Sequence, residues 1–209
     1  MRGDAYVSSM SCASAGNCAA GGPYGEPYGL GFVAVEKNGV WGNAASVPGL
    51  AALTGRYAEA TSVSCASPGN CAAVGDYSNT SGGRTQGFVA VERHGRWGRA
   101  IAVPGLRALN TGKLAEVTSV SCAPAGSCAA GGFYFDRRRH AQWFVAVERN
   151  GRWGTAIQVP GLRALNKPAD VEVFPNYFSV SCAPAGACAA GGYYTDRHGA
   201  MQGFVTRAR

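Results

Sequence analysis

Short runs of alternating apolar and polar residues recur along the chain, and four such runs form one repeating unit. In the third unit they are strand A at Thr118–Cys122, strand B at Cys128–Tyr134, strand C at Phe144–Glu148 and strand D opening at Trp153. Alternation over four to eight residues between Gly, Pro and Asn indicates half-buried β-strands. No segment carries a convincing helical period, and RALN after VPGL offers one turn at most. The pattern predicts an all-β chain.

The unit occurs four times, because the first cysteines at Cys12, Cys65, Cys122 and Cys182 are 53, 57 and 60 residues apart. Four-stranded antiparallel meanders at such a period are typical of a β-propeller. We expect one domain over residues 1–209, with repeats at about 5–57, 58–114, 115–174 and 175–209. The fourth repeat stops inside strand C, so its blade is expected to lack the outer strand. Either a four-bladed ring closes by packing, which we favour, or the chain is half of a larger propeller completed by a second chain.

A two-residue turn joins strand C to strand D, and its sequence fixes the register. The turns are Asn38-Gly39, His94-Gly95 and Asn150-Gly151. Asn-Gly suits a type I′ turn, which needs a positive φ at both positions. The opposed pairs are then Glu36 with Trp41, Glu92 with Trp97 and Glu148 with Trp153. We interpret these glutamates as solvated partners of the tryptophan strand.

The eight cysteines form four pairs, each enclosing five residues of turn composition. If strands leave both ends of the turn, the paired side chains lie within disulfide reach. Zinc needs four converging ligands at closer spacing, so we expect no metal and no cofactor. Complete pairing indicates an oxidising compartment, hence secretion. The predicted disulfides are Cys12–Cys18, Cys65–Cys71, Cys122–Cys128 and Cys182–Cys188.

The net charge and the hydropathy of the chain limit the kinds of partner that we expect it to bind. The net charge of +7 favours acidic partners such as anionic polysaccharide or cell-wall polymer. Because the arginines alternate with strand residues and form no tail, a nucleic-acid arm is not favoured. No apolar run approaches the roughly 18 residues of a membrane span, and no leader is visible at the start. A homo-oligomer is compatible with the larger-ring alternative.

The repeat itself resembles a known group of sequences. The pattern SVSCASxGNCAAGG followed by FVAVExNGxWGxAxxVPG resembles the repeats of secreted actinobacterial proteins of mostly unassigned function, over nearly the whole chain. The C–D hairpin is also similar to the Asp-box turn of sialidase-like and photosystem-assembly-type propellers. That family's Ser-x-Asp-x-Gly-x-Thr-Trp reads VERHGRW or VERNGRW here. Since the aspartate is absent, no catalytic residue is carried over.

The candidate binding residues lie in the B–C loops, which emerge with the D–A connections on one face of a meander blade. Variable loops on a rigid scaffold are where function usually lies. Each loop combines aromatic residues with an acid, and most add basic residues and a glutamine. Such groups bind sugars, because planar polar groups fix hydroxyls while an exposed tyrosine ring packs on the pyranose. The set is Tyr24, Glu26, Asp76, Tyr77, Arg84, Gln86, Tyr134, Asp136, Arg137, His140, Gln142, Tyr194, Asp196, Arg197, His198 and Gln202. The alternative is that Asp136 and Asp196 cap their own turns.

The first functional hypothesis is a secreted, disulfide-stapled, lectin-like module that binds carbohydrate or cell-wall polymer through several similar loops. The second is an enzyme, glycosidase-like or other, with an active site at the centre of the loop face. Its candidate acid–base pairs are His140 with Asp136 and His198 with Asp196. The third is a protein-interaction scaffold that uses the arginine-rich loops. The sequence leaves open whether the protein is catalytic.

Overall fold

Four antiparallel sheets account for most of the chain in the computed structural model, which describes residues 3–25, 29–54, 57–79, 83–124, 126–166 and 177–208. Sheet 1 holds β1 (Ser9–Ser14), β2 (Asn17–Tyr24), β3 (Leu30–Lys37), β4 (Val40–Trp41) and β5 (Ala45–Ser46). Sheet 2 holds β6 (Tyr57–Ser67), β7 (Asn70–Asn79), β8 (Arg84–Arg93), β9 (Arg96–Trp97) and β10 (Ile101–Ala102). Sheet 3 holds β11 (Ala115–Cys122), β12 (Cys128–Phe135), β13 (Ala141–Arg149), β14 (Arg152–Trp153) and β15 (Ile157–Gln158). Sheet 4 holds β16 (Ser179–Cys182), β17 (Cys188–Thr195) and β18 (Met201–Ala208).

The predicted strand order A–B–C–D is found in the first three sheets, but strand D differs from the prediction. It consists of two short strands that both pair with strand C, with three residues between them. In sheet 3 the interruption begins at Gly154, whose amide donates to the carbonyl of Val147 at 2.8 Å. One helical turn follows each strand D, as expected, and buries its first leucine in the core. These turns are α1 (Leu50–Leu53), α2 (Leu106–Leu109) and α3 (Leu162–Leu165).

The C–D register is as predicted, but the environment of the glutamates is not. Both residues of each turn have positive φ, for example 52° at Asn150 and 84° at Gly151. Each glutamate lies opposite its tryptophan. Yet Glu92 and Glu148 are each only 1% exposed, so the prediction of solvated carboxylates is wrong for them. Glu148 is covered by Arg93 of the preceding sheet, which hydrogen bonds to it, whereas Glu36, in the first sheet, stays partly exposed.

All four predicted cysteine pairs are disulfides, each closing the hairpin between strand A and strand B. The paired Cα atoms are 3.9 to 4.0 Å apart, and the sequence separation is 6 in every pair. Every bridge therefore stays inside one hairpin, and none connects two sheets. Such disulfides are typical of extracellular proteins. Among the residues that the structure describes, no helix is long and apolar enough to cross a membrane.

The apolar core is divided into three parts, one between each consecutive pair of sheets. Between sheets 1 and 2, for example, Val33 packs in the same cluster as Val63. Between sheets 3 and 4, the rings of Trp143 and Phe178 stack with centroids 5.1 Å apart. The indole N–H of Trp143 donates to the carbonyl of Tyr193 at 2.6 Å. Sheets 2 and 3 therefore bury both of their faces, each against a different neighbour, whereas sheets 1 and 4 each bury one.

Consecutive A strands are joined by a regular set of hydrogen bonds, called here the serine ladder. The hydroxyl oxygens of Ser9 and Ser11 accept from the amides of Val63 and Cys65, both at 3.0 Å. This satisfies amides at the free edge of strand A, which pairs only with strand B in its own sheet. The S-x-S-C motif thus joins one sheet to the next. The later rungs are Ser62 to Val120, Ser64 to Cys122, Ser119 to Val180 and Ser121 to Cys182.

Candidate functional site

A pocket of about 660 Å³ lies at the loop end of sheet 3, mainly between the end of α2, the B–C loop after β12 and the segment around α3. Five of the predicted binding residues line it together: Tyr134, Asp136, Arg137, His140 and Gln142. Sequence reasoning missed most of the rest of the polar lining. Arg138 belongs to the same arginine-rich loop, and the missed polar residues are Thr111, Gln158, Arg163 and Asn166. The cationic wall therefore carries three arginines from two separate segments.

Asp136 holds the loop in shape. Its Oδ1 accepts from the amides of Arg138 at 2.8 Å and His140 at 3.0 Å, while Arg139 takes a positive φ of 63°. The other oxygen, Oδ2, is 3.9 Å from Nδ1 of His140. This distance is too long for a hydrogen bond. One carboxylate oxygen is therefore committed to the turn, as the capping alternative expects.

Asp196 repeats this turn in sheet 4. Its Oδ1 accepts from the amides of His198 at 2.8 Å and Ala200 at 3.0 Å. The amide side chain of Gln202 donates to Oδ2 at 3.0 Å. These hydrogen bonds, those from the backbone first, lower the pKa of Asp196 below its ordinary value. With both oxygens engaged, Asp196 is a structural cap, and the loop residues Arg197, His198 and Gln202 around it are exposed.

The polar wall of the pocket is pre-organised by amide side chains. Gln158 donates to Oε1 of Gln142 at 2.9 Å, which fixes the orientation of a side chain that is 3% exposed. Asn166 donates to the carbonyl of Ala141 at 2.7 Å and accepts from the amide of Thr195 at 3.1 Å. The wall is thus anchored to sheet 4 as well as to sheet 3.

The matching position in sheet 2 is built differently. Gln86 is 6% exposed, and its side-chain N–H group has no hydrogen-bond partner among the described residues. In β10, Ala102 stands opposite Phe88 as Gln158 stands opposite Phe144, so sheet 2 has no amide side chain at this position to fix the orientation of Gln86. The organised polar wall therefore belongs to sheet 3.

The expectation of exposed tyrosine rings is wrong for two of the four loops. Tyr77 is 8% exposed and lies in the core between sheets 1 and 2, and Tyr134 is 4% exposed in the core between sheets 2 and 3. Each ring points at the preceding sheet, which covers it. Burial raises the pKa of Tyr134 to about 12. Neither ring has a free face on which a pyranose could pack.

The remaining predicted residues are spread over other loops. Tyr24 is partly exposed, and its hydroxyl hydrogen bonds to that of Ser46 at 2.5 Å. Tyr194 is also partly exposed. Arg84 donates to the carbonyl of Asn110, which ties it to the segment after α2. Glu26 lies outside the described residues.

A second polar cluster, which sequence reasoning largely missed, lies where the A strands of sheets 2 and 3 begin. Asp76 is 5% exposed, and its Oδ1 has no hydrogen-bond partner among the described residues. Its pKa is raised well above the ordinary value by burial first, and then by the negative charges of Glu116 and Glu59. The hydroxyl of Tyr57 donates to Glu59 at 2.9 Å. The available sequence signal was that Glu59 and Glu116 hold the same position in two repeats.

This arrangement favours the neutral form of the Asp76 carboxyl group beside two other carboxyl groups, which is the kind of environment that suits a proton donor. Burial, and then the charge of Glu59, also raises the pKa of Glu116. In the part of the chain that the structure describes, no group of three or more His, Cys, Asp and Glu residues could hold a metal ion.

Comparison with known proteins supports the architecture. No protein-family model matches the chain, and no curated protein matches it. The solved structure of the Hadza microbial sialidase Hz136 is similar, with a TM-score of 0.56 and 10% sequence identity. The match covers 95% of this chain and 43% of the sialidase, so the chain spans less than half of that protein's length. At this identity the likeness shows the fold alone: four antiparallel sheets arranged like part of a sialidase-type β-propeller.

Proposed function

We propose that this protein is a secreted β-propeller module, a single domain of four repeats, that binds carbohydrate in the pocket of sheet 3. The observation that carries the proposal is the pocket of about 660 Å³, lined by arginine, glutamine, asparagine and histidine side chains. Its volume is within the roughly 300–1,000 Å³ common for ligand sites. Four disulfides support an extracellular location.

The chemistry of the lining favours an acidic sugar or an acidic cell-wall polymer. Arg137, Arg138 and Arg163 present guanidinium groups that bind carboxylate or sulfate through paired hydrogen bonds. Asn166 and Gln158 add amide groups suited to sugar hydroxyls. Recognition is polar, because the ring of Tyr134 is buried. Since the polar wall is built in sheet 3 and not in sheet 2, binding depends on one principal pocket and not on equal sites in every repeat.

The test is binding of the labelled protein to a glycan panel that includes uronic and sulfated polymers, at low and high salt. Arg163→Ala removes one charged donor from the pocket and should weaken binding by about 10- to 100-fold. Arg107→Ala is the matched control, because Arg107 holds the same position in α2 and does not line the pocket. Equal losses in both variants, with all binding abolished by salt, would show that only the net charge attracts the ligand.

A second candidate function, glycoside hydrolysis, is favoured by the cluster around Asp76. A buried carboxyl group whose pKa is raised beside other carboxyl groups suits a general acid, and the similar solved structure is a sialidase. Asp76→Asn should then lower the turnover of aryl glycosides, sialosides included, by about 100-fold or more. Asp136→Asn is the comparison, since Asp136 is a turn cap. No turnover by the unmodified protein, or full activity of Asp76→Asn, would exclude this candidate.

A further inference from the structure

The outward face of sheet 4 is exposed where every earlier sheet is covered. Strand C of every sheet carries a valine at one matching position, opposite a glycine of strand B in sheets 1, 3 and 4 and opposite Val74 in sheet 2. In sheets 1 to 3 this valine is at most 4% exposed, at Val33, Val89 and Val145, because the following sheet packs on it. In sheet 4 the same position is Val205, which is 89% exposed. This face therefore carries the apolar side chain that packs between neighbouring sheets elsewhere (an arrangement called here a joint), but no sheet covers it among the described residues.

The outward face of sheet 1 carries the residues that, in sheets 2 to 4, pack against the preceding sheet. Strand A carries an apolar residue two positions before its cysteine, and this residue packs on the preceding sheet. It is 5 or 6% exposed at Val63, Val120 and Val180. In sheet 1 the position is Met10, which is 59% exposed. Tyr6 and Val7 nearby are also more than half exposed, at 53% and 54%.

The hydrogen-bonding groups of the serine ladder repeat this division. Ser179 and Ser181 correspond to the acceptors of the earlier rungs. Both residues are exposed, and their hydroxyl groups have no hydrogen-bond partner among the described residues. At the other end, the amides of Met10 and Cys12 correspond to those of Val63 and Cys65, which donate to serines of the preceding sheet. The described part of the chain has no serine that caps them.

One residue of the sheet 4 face departs from the pattern. Arg207 pairs with Ala189 as Val147 pairs with Ala129. Val147, like Val35 and Val91, is only partly buried in its own joint. The charge of Arg207 therefore lies at the margin of the face and leaves the position of Val205 apolar.

We propose that copies of this chain associate head to tail, with sheet 4 of one copy packed against sheet 1 of a second copy. The occupant is a second copy because the two faces are complementary halves of a joint that the chain already forms three times. Val205 would pack near Met10 of the second copy, and the hydroxyls of Ser179 and Ser181 would accept from its Met10 and Cys12 amides. All eight cysteines are in disulfides, so the association is non-covalent.

Two single variants block one face each. Val205→Arg places a charge on the sheet 4 face, and Met10→Arg does so on the sheet 1 face. Each variant alone should be monomeric by light scattering, at concentrations where the unmodified protein is a dimer or larger. Mixed in equal amounts, they should form a one-to-one dimer, because each variant keeps the face that the other has lost. Formation of that dimer also shows that both variants are folded.

A gentler variant tests the ladder directly. Ser179→Ala combined with Ser181→Ala removes two acceptors from an exposed surface, so each chain should fold as before. Loss of two hydrogen bonds should weaken association by about 5- to 100-fold. A monomeric unmodified protein up to high micromolar concentration would overturn the proposal, since the two faces would then stay uncovered in solution. A mixture of the two arginine variants that stays monomeric would overturn it as well.

Discussion

Arg93→Ala tests whether neighbouring sheets are fastened by an ion pair beside the C–D turns. The carboxylate of Glu148 is 1% exposed and accepts from Arg93 at 2.8 Å and from the amide of Gly151. A hydrogen bond to a charged group contributes about 1.5–3 kcal/mol. The side chain of Arg93 is 50% exposed, so water screens the pair and moves the value toward the ~1 kcal/mol of a surface pair.

We therefore expect Arg93→Ala to lower the free energy of unfolding by about 1–2 kcal/mol. For a chain of this size, the melting temperature should fall by roughly 2–8 °C. A double-mutant cycle with Glu148→Gln, measured by urea unfolding, isolates the pair from general effects of each substitution. The coupling energy should account for most of the loss.

The contact between sheets 1 and 2 provides a control within the same chain. Lys37 and Glu92 hold the positions of Arg93 and Glu148, but no hydrogen bond links them, and Oε2 of Glu92 has no partner among the described residues. A cycle of Lys37→Ala and Glu92→Gln should give a coupling within about 0.5 kcal/mol of zero. Equal coupling in the two cycles, or none in the first, would refute the reasoning.

Three further predictions rest on the same joints. Ser62→Ala combined with Ser64→Ala should cost about 1–3 kcal/mol in urea unfolding, because two backbone amides of β11 lose their acceptors. Lys37→Arg should raise the melting temperature by a few degrees in a thermal scan, since a longer planar donor can reach the free oxygen of Glu92. Burial raises the pKa of Glu92 above its ordinary 4.5, so its contribution to stability is present below pH 4.5 and is lost as the pH rises through the folded-state pKa. Glu92→Gln should remove that loss in unfolding curves measured from pH 4 to 8.

The sequence was informative wherever structure depends on neighbouring residues. The disulfides and the C–D register were predicted, because a six-residue separation and an Asn-Gly turn act locally. The burial of Glu148 was not predicted, since it depends on Arg93, which lies 55 residues away in another sheet. The serine ladder was also missed, because nothing in S-x-S-C distinguishes a hydroxyl that faces water from one that caps the next strand.

The same distinction between local and long-range features applies to the candidate site. Asp136, Arg137 and His140 belong to one loop, and the pattern brought them together correctly. Arg163 reaches the same pocket from the segment that follows strand D, which no pattern within the loop indicates. The burial of Tyr134 was missed for a related reason: alternation predicts which side of a strand a residue faces, but not whether another sheet covers that side.

The placement of the disulfides has a mechanical consequence. Because each bridge closes within a single hairpin, a force applied to the two ends of the chain meets no disulfide between one sheet and the next. The sheets should therefore detach one after another: at about 3.4 Å per residue, sheets 1 to 3 release roughly 15–20 nm each and the shorter sheet 4 about 10 nm, less the few residues held inside each bridge. Under tension the molecule would behave as a chain of separate extensible elements, with stepwise lengthening that oxidising conditions shorten only slightly.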